Sequence, residues 1–208
     1  MTLDRLRPLA DRALGPFVTV ARWLGLTPDA VSVVSLLLAF AAAGTFYAGG
    51  TTPMWYLAGA VLVFLNGWLD LLDGALAREL AVASPAGDLL DHVIDRYADL
   101  LLIAGLAAGV SRYALGLAAV TGVLMTSYLG TQAQAVGLDR VYGGLLGRAD
   151  RLALTGVVAA VAAFAPTPVP GLSQIAALSP VGWLLVVFAV VGHVTAAQRF
   201  YYAYRDLS

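Results

Sequence analysis

The sequence predicts an all-α integral membrane protein, with six transmembrane helices preceded by an N-terminal amphipathic helix on the membrane surface. Of its 208 residues, 60% are hydrophobic and 12% are charged, and the charged fraction is about half that of an average soluble domain. A soluble globule of this length could not cover so much apolar surface, so lipid is the expected solvent. Apolar stretches also recur at the length that a membrane-crossing helix requires, about 20 residues.

Six stretches are apolar and long enough to be read as spans, and glycine or proline residues punctuate their connections. They cover residues 28–49, 53–76, 89–110, 113–135, 152–165 and 181–202. The fifth stretch is short, so its helix is expected to begin nearer to Gly147. We expect one membrane domain over 1–208, with the surface helix in 1–26 and the six-helix core in 27–208.

The segment before the first span has the pattern of an amphipathic helix. Over residues 3–24, apolar side chains recur at helical spacing and charged side chains take the other face. Such a helix is expected to lie in the plane of the membrane surface. A frayed polar leader is the alternative for this segment.

The distribution of arginine predicts the orientation of the chain. All twelve basic residues are arginine, and most lie before the first span, after the second, between the fourth and fifth, or at the end of the sixth. The connections on the other side carry only Arg112. The positive-inside rule then places both termini and the active site on the cytoplasmic face of a multi-pass protein of the cell membrane.

Four aspartates flank the connection between the second and third spans. The stretch reads Asp70-x-x-Asp73-Gly74-x-x-Ala77-Arg78, then eight residues, then Gly87-x-x-x-Asp91-x-x-x-Asp95. Residues three or four apart share a face of a helix, so each helix presents one pair of carboxylates. A short connection predicts that the two helices are antiparallel neighbours, and the two pairs are expected to converge.

Four carboxylates near a bilayer require bound cations. An ionised aspartate at the bilayer centre costs about 2.5–3.5 kcal/mol on insertion scales. Hard carboxylate oxygens favour Mg²⁺ or Mn²⁺, and the chain has no cysteine for a thiolate site. Two such ions suit a pyrophosphate substrate. Arg78 could bind a phosphate group through its guanidinium. Gly74 has no side chain, which leaves room for a nucleotide close to the backbone.

The aspartate pattern resembles the signature of the CDP-alcohol phosphotransferase family at every fixed position, including the eight-residue spacer. The resemblance implies an enzyme that transfers a phosphatidyl or archaetidyl group from a CDP-linked lipid to the hydroxyl of a small polar acceptor and releases CMP. It also implies two Mg²⁺ ions, with Mn²⁺ as a substitute, and a homodimer in the lipid bilayer. No nucleic-acid partner is expected.

The resemblance assigns roles to particular residues. The implied metal ligands are Asp70, Asp73, Asp91 and Asp95. Asp95 would also be the catalytic base that takes the proton from the acceptor hydroxyl. The implied contacts to the CDP-lipid are Thr27, Pro28, Asp29, Ala30, Asp70, Gly74, Arg78 and Ser84.

The second half of the chain resembles the branch of the family that makes phosphatidylinositol phosphate or archaetidylinositol phosphate. The residues that line up with that branch include Ser127, Tyr128, Gly143, Gly144, Arg148, Arg151, Leu152, Gln198 and Arg199. Arg148, Arg151 and Arg199 would bind a polyol phosphate, either inositol phosphate or glycerol phosphate. Gly130 and Gln132 stand where that branch has two basic residues, so serine or another alcohol without a phosphate remains an alternative acceptor.

Two other functions compete with this interpretation. A Mg²⁺-dependent membrane prenyltransferase also uses aspartate-rich motifs, but it would need two distant motifs and more spans. An ion transporter with a path lined by aspartates would not explain the spacing of Gly74, Ala77 and Arg78.

The third span, residues 89–110, contains a helix-packing pattern of two glycines, Gly105-x-x-x-Gly109. This pattern permits the close approach of another helix.

Overall fold

The computed structural model is helical throughout the residues that it describes, which are 7–139, 144–165 and 177–208, with side chains described from residue 13 onward. The helices are α1 (Arg7–Trp23), α2 (Pro28–Gly49), α3 (Trp55–Glu79), α4 (Pro85–Gly109), α5 (Tyr113–Ala135), α6 (Arg148–Phe164) and α7 (Pro180–Leu207). The predicted all-α fold is therefore confirmed for the described residues.

Three helices begin with the same local device, a hydroxyl residue followed by proline. Thr27, Ser84 and Ser179 each accept a hydrogen bond from the backbone N–H three residues later, at 3.2, 3.1 and 3.3 Å. Proline suits the next position, where its missing N–H leaves no hydrogen bond unmade. Because of the Ser84 cap, α4 begins four residues before the predicted span at residue 89.

The start of α6 uses a different cap. The Asp150 carboxylate accepts a hydrogen bond from the Gly147 backbone N–H at 2.9 Å, so α6 begins at Arg148. This start confirms the expectation that the fifth apolar stretch extends back toward Gly147. It also fixes Arg148 at the first position of the helix.

Four helices, α2, α3, α5 and α7, are long and apolar enough to cross a membrane by length and composition. The other two predicted spans differ for physical reasons. Asp95, Arg96 and Asp99 interrupt the apolar run of α4, and α6 has 17 residues. The chain thus has the composition of a membrane protein. Its two less apolar helices, α4 and α6, carry charged residues within or at the start of the helix.

Helix α2 lies at the centre of one side of the bundle and packs against both α3 and α4, whereas α3 and α4 have almost no direct backbone contact. The two aspartate-bearing helices are therefore joined mainly through α2, although side chains of the two helices meet. Their hairpin connection is short, but α2 packs on both and holds them apart. The region between α3 and α4 at the end of the connection, where their aspartate side chains meet, is called the cleft.

Small residues allow α2 and α4 to approach closely. A Cβ atom at Gly105 would lie 2.5 Å from the Ala43 carbonyl oxygen, and one at Gly109 would lie 2.3 Å from the Phe46 carbonyl oxygen. The predicted close approach at Gly105-x-x-x-Gly109 is confirmed, and the partner helix belongs to the same chain. This contact sets the distance of α4 from the rest of the bundle.

Helix α1 packs against the end of α3. Leu14 is fully buried and lies with Ala21 in a small apolar cluster that includes Leu72 and Leu76. The Trp23 side chain is exposed on the other side. Residues 3–6 of the predicted surface helix lie outside the described residues, as do the side chains of residues 7–12. The predicted charged face of this helix therefore lies outside the described side chains.

Candidate active site

Three carboxylates from two helices meet at the α3–α4 hairpin end of the bundle. Oxygen atoms of Asp70 on α3 and of Asp91 and Asp95 on α4 all lie within 4.8 Å of one another. Asp95 is buried, and the other two are partly buried. The convergence of the two aspartate pairs, predicted from their spacing, is thus observed for these three residues.

The fourth aspartate of the motif lies beside this group. Asp73 is buried and accepts a hydrogen bond of 2.7 Å from the Ser32 hydroxyl of α2. Two turns earlier on α3, Asn66 donates to the Ser35 carbonyl oxygen and to the Ser35 hydroxyl, both at 2.8 Å. These contacts fix α3 against α2 and hold Asp73 on the side of the cleft.

An arginine from a third helix enters the carboxylate group. The guanidinium of Arg148, at the start of α6, forms ion pairs with Asp70 and with Asp95, the latter at 2.8 Å. Its side chain is 14% exposed. A cation of this kind lowers the repulsion among the carboxylates.

Several of the residues predicted to contact a CDP-lipid lie at the ends of α2, α3 and α4 near the connection. Thr27 and Ser84 cap α2 and α4, and Asp29 lies close to Gly87, where a Cβ atom would be 3.7 Å from the Asp29 carboxylate. A Cβ atom at Gly74 would lie 3.5 Å from the Arg78 guanidinium. The two capped helix starts therefore meet at one edge of the cleft, and Arg78 lies over Gly74 at the other.

The other two arginines predicted to bind the acceptor are held by neighbouring helices. The buried Arg151 forms an ion pair of 2.6 Å with Asp99 of α4. The buried Arg199 donates a hydrogen bond of 2.6 Å to the Thr126 carbonyl oxygen of α5. Arg148 is the one of the three that reaches the carboxylate group within the described side chains.

Sequence reasoning missed two contacts at the site. Asp99 pairs with Arg151 of α6 and not with its helix neighbour Arg96. Arg96 instead contacts Asp95 at 3.3 Å and also bonds to Ser127 of α5. The available signal was the spacing, because Asp95 and Asp99 are four apart and Arg148 and Arg151 are three apart, so each pair shares a helix face.

The donor set fits a hard divalent cation. The three converging groups are all carboxylates, which are ligands that Mg²⁺ and Mn²⁺ prefer. The histidine of this region, His92, lies off the cluster and contacts the Asp88 carbonyl oxygen at 2.6 Å. Metal binding by this group is therefore chemically reasonable, with oxygen ligands alone.

A bundle of apolar helices that brings aspartates together at one end fits a membrane protein that holds a divalent cation. The family model for CDP-alcohol phosphatidyltransferase matches residues 25–195, and the chain belongs to that family. It is thus a transferase of substituted phosphate groups, acting in phospholipid synthesis. The recognition made from the aspartate spacing is confirmed.

Relatives and solved structures agree over nearly the whole chain. The chain is 28% identical over 210 residues to the archaetidylinositol phosphate synthase of Methanothermobacter thermautotrophicus. The aligned region covers 99% of this chain and 95% of the relative. The crystal structure of Mycobacterium tuberculosis phosphatidylinositol phosphate synthase with CDP-DAG bound is similar with a TM-score of 0.77 and 28% identity, covering 93% of this chain and 94% of that one. The same enzyme in complex with manganese and citrate gives a TM-score of 0.77 at 27% identity, covering 92% and 88%.

Proposed function

We propose that this enzyme transfers a phosphatidyl or archaetidyl group from a CDP-linked lipid to the hydroxyl of a polyol phosphate, with inositol phosphate as the first acceptor to test. The convergence of Asp70, Asp91 and Asp95 within 4.8 Å carries the proposal. The names of the relatives support the acceptor, and the CDP-DAG and manganese in the similar structures support the lipid donor and the metal.

The four aspartates have two proposed roles, metal binding and proton transfer. Asp70, Asp73, Asp91 and Asp95 would hold two Mg²⁺ ions, or Mn²⁺, which would neutralise the diphosphate and stabilise charge on the leaving CMP. Asp95 takes the proton as the acceptor oxygen forms its bond to the lipid-side phosphorus and the bond to CMP breaks. Its burial and its position between Asp91 and Arg148 suit a group that must hold a proton briefly.

The substrate contacts follow the edges of the cleft. We assign the CDP moiety to the Thr27–Ala30 segment, to Ser84 at the start of α4, and to Gly74 with Arg78 on α3. Arg148 is our first assignment for the acceptor phosphate, because its guanidinium lies among the carboxylates. Acceptor binding by Arg151 and Arg199 stays a prediction, and each of them is engaged by another helix.

The setting of the enzyme is part of the proposal. We infer that α2 to α7 all cross the bilayer of the cell membrane as one domain within 27–208, that 1–26 forms a surface helix, and that the site faces the cytoplasm. The carboxylate cluster, α1 and the end of α7 lie at the same end of the bundle, which supports this orientation. Exposed Phe17, Val20 and Trp23 on α1 suit contact with lipid. The homodimer implied by the family remains a prediction.

The test is a panel of acceptors offered to the purified protein with a CDP-lipid and Mg²⁺, scored by release of CMP. Inositol phosphate, glycerol phosphate, serine and inositol separate the acceptor classes, and prenyl pyrophosphate in place of the CDP-lipid, scored by release of pyrophosphate, tests the rival enzyme. We expect metal-dependent release with a phosphorylated polyol. Release with serine or inositol alone would replace our acceptor, and an absence of release with every acceptor would overturn the proposal.

A further inference from the structure

A cavity at the end of the bundle opposite the carboxylates takes no part in the proposed reaction. It has a volume of about 390 Å³, which is the size of a small-ligand site. Its walls are closely packed, because a Cβ atom at Gly50 would clash with the Gly109 carbonyl oxygen and one at Gly49 would lie 2.8 Å from the Tyr56 ring. The backbone around the cavity therefore forms its shape without a ligand.

The Tyr56 hydroxyl opens on this cavity without a hydrogen-bond partner among the described residues. The side chain is 3% exposed and lines the cavity. Its hydroxyl oxygen lies beside Gly109, another lining residue, where a Cβ atom would be 3.2 Å away. A buried tyrosine hydroxyl usually has a partner, and leaving it unpaired is costly. Tyr56 therefore offers a hydrogen-bond donor to a ligand in the cavity.

Arg112 lines the same cavity, and no carboxylate stands near it in the sequence. The connections at this end of the bundle, residues 50–54, 110–112 and 165–179, contain no aspartate or glutamate, and Arg112 is their one basic residue. The last acidic residue of α4 is Asp99, whereas the helix continues to Gly109. The connections thus supply a cation and no counter-ion.

The end of α4 does not satisfy the Arg112 side chain either. An arginine beside a helix C-terminus can donate to the last carbonyl oxygens. The carbonyl oxygens of Leu106, Ala107 and Ala108 already accept the backbone N–H groups of Val110, Arg112 and Ser111, at 3.2, 2.9 and 3.1 Å. Within the part of the chain that the structure describes, the guanidinium has no hydrogen-bond or ion-pair partner, so it can bind an anion.

The start of α7 brings a third group of donors to the cavity. Val181, the second residue of this 28-residue helix, is fully buried and lines the cavity. The Ser179 hydroxyl accepts from the Gly182 N–H at 3.3 Å, and the first N–H groups of a helix have no partner within it. The positive end of the helix dipole favours a negative charge here.

We propose that this cavity binds a phosphate group, held by the Arg112 guanidinium, the Tyr56 hydroxyl and the start of α7. Three kinds of donor line one preformed space, and no carboxylate lines it. The phosphate group belongs either to free inorganic phosphate or to the headgroup of a lipid in the adjacent leaflet, since both present the same oxygens. The site is separate from the carboxylate cluster and does not depend on the proposed transfer reaction.

The experiment places a fluorine reporter at each end of the full-length protein, which has no cysteine of its own. Thr52→Cys lies next to Pro53 of the cavity lining, and Ser208→Cys lies at the opposite end. Each cysteine carries a trifluoromethyl label that is followed by fluorine NMR. Inorganic phosphate is added to the protein in detergent, with sodium chloride at equal ionic strength as the salt control. In a second arm, the fraction of phosphatidylglycerol is raised in phosphatidylcholine nanodiscs.

The binding residues are tested in the Thr52→Cys background with Arg112→Gln and Tyr56→Phe. Arg112→Gln should weaken binding by about tenfold or more, because it removes a charged donor, and Tyr56→Phe by about threefold or more. The matched control is Tyr113→Phe, whose side chain is 66% exposed at the same end and does not line the cavity. It should bind as the wild type does. The midpoint of thermal unfolding without phosphate verifies that each variant is folded.

We expect a saturable shift of the Thr52→Cys label that sodium chloride does not produce. Saturation by inorganic phosphate identifies the free anion as a ligand, and saturation by phosphatidylglycerol identifies a lipid headgroup. The proposal is overturned if neither arm gives a saturable shift, or if Arg112→Gln binds as tightly as the wild type. A shift of the Ser208→Cys label alone would place the bound phosphate at the carboxylate end and would also overturn it. No turnover is measured, so a failure of the proposed transfer reaction leaves this test unaffected.

Discussion

At the residue scale, the positions of the charged side chains explain how one end of an apolar bundle holds so many carboxylates. Asp73 accepts a hydrogen bond from the Ser32 hydroxyl of α2. Asp95 forms ion pairs with Arg96 and Arg148, and Asp70 forms one with Arg148. Each contact offsets part of the cost of burying a charge. The remaining negative charge at the cleft favours a divalent cation.

The role of Asp95 as a base is tested by Asp95→Asn. The amide keeps an oxygen that can contact a cation but cannot accept the proton, so kcat is expected to fall by about 10²- to 10⁴-fold. Binding of CDP-lipid should be largely retained, so the loss is expected in kcat. The matched control is Asp88→Asn on the same helix, where the side chain is 76% exposed. Near-normal release of CMP by Asp95→Asn would remove the base assignment.

The hydrogen bond from Ser32 to Asp73 gives a second prediction. Ser32→Ala leaves a buried carboxylate oxygen without its donor, and the free energy of unfolding is expected to fall by about 1–3 kcal/mol. The KM for CDP-lipid should rise, because Asp73 is no longer fixed. Thr51→Ala, which removes an exposed hydroxyl bonded to a local carbonyl oxygen, is the control for unfolding. Unchanged stability and KM would show that Ser32 does not support Asp73.

At the element scale, helix starts and helix contacts place the site. The Ser84 cap begins α4 early enough to bring Asp91 to the cleft, and the Asp150 cap puts Arg148 at the first position of α6. Glycines on α4 let it lie against α2, which keeps α3 and α4 apart. The cleft is thus a product of α2 packing on both helices.

Gly105→Ala tests this contact. The added methyl group would meet the Ala43 backbone, with its Cβ 2.5 Å from the carbonyl oxygen, so α4 must shift and the protein should unfold at lower temperature. Gly44→Ala is the matched control, because a Cβ at Gly44 meets no atom within 4 Å. Equal unfolding temperatures for the two variants would contradict the close approach of α2 and α4.

The sequence predicted the helices and the aspartate cluster because both follow from local spacing. Apolar length located most of α2, α5 and α7, and the i to i+4 spacing placed Asp91 and Asp95 on one face. Contacts between distant segments were not predictable in this way. No local pattern specifies that α2 separates α3 from α4. Spacing shows that Arg148 and Arg151 share a helix face, but it does not say that Arg151 meets Asp99 on another helix.

At the scale of the whole molecule, the bundle has two unlike ends. The carboxylates, the arginine contacts and α1 share one end. A cavity of about 390 Å³ lies at the other, and its lining includes Gly49, Tyr56 and Arg112. This polarity matches an enzyme that meets a soluble acceptor on one face of the membrane.

The orientation is testable because the chain has no cysteine. Single substitutions Ser111→Cys and Ser208→Cys lie at opposite ends of the bundle. In intact cells, a membrane-impermeant maleimide should label Ser111→Cys directly and Ser208→Cys only after permeabilisation. Labelling of both before permeabilisation would contradict six spans with the site in the cytoplasm.

The most direct test of the central claim is the affinity for Mn²⁺, measured by electron paramagnetic resonance on the wild type and on Asp70→Asn, Asp91→Asn and Asp88→Asn. If carboxylates of α3 and α4 form one cation site, Asp70→Asn and Asp91→Asn should each weaken binding by about tenfold or more, a loss of about 1.4 kcal/mol. The exposed Asp88→Asn should bind as the wild type does. Unchanged affinity in either Asp70→Asn or Asp91→Asn would contradict a site shared by the two helices.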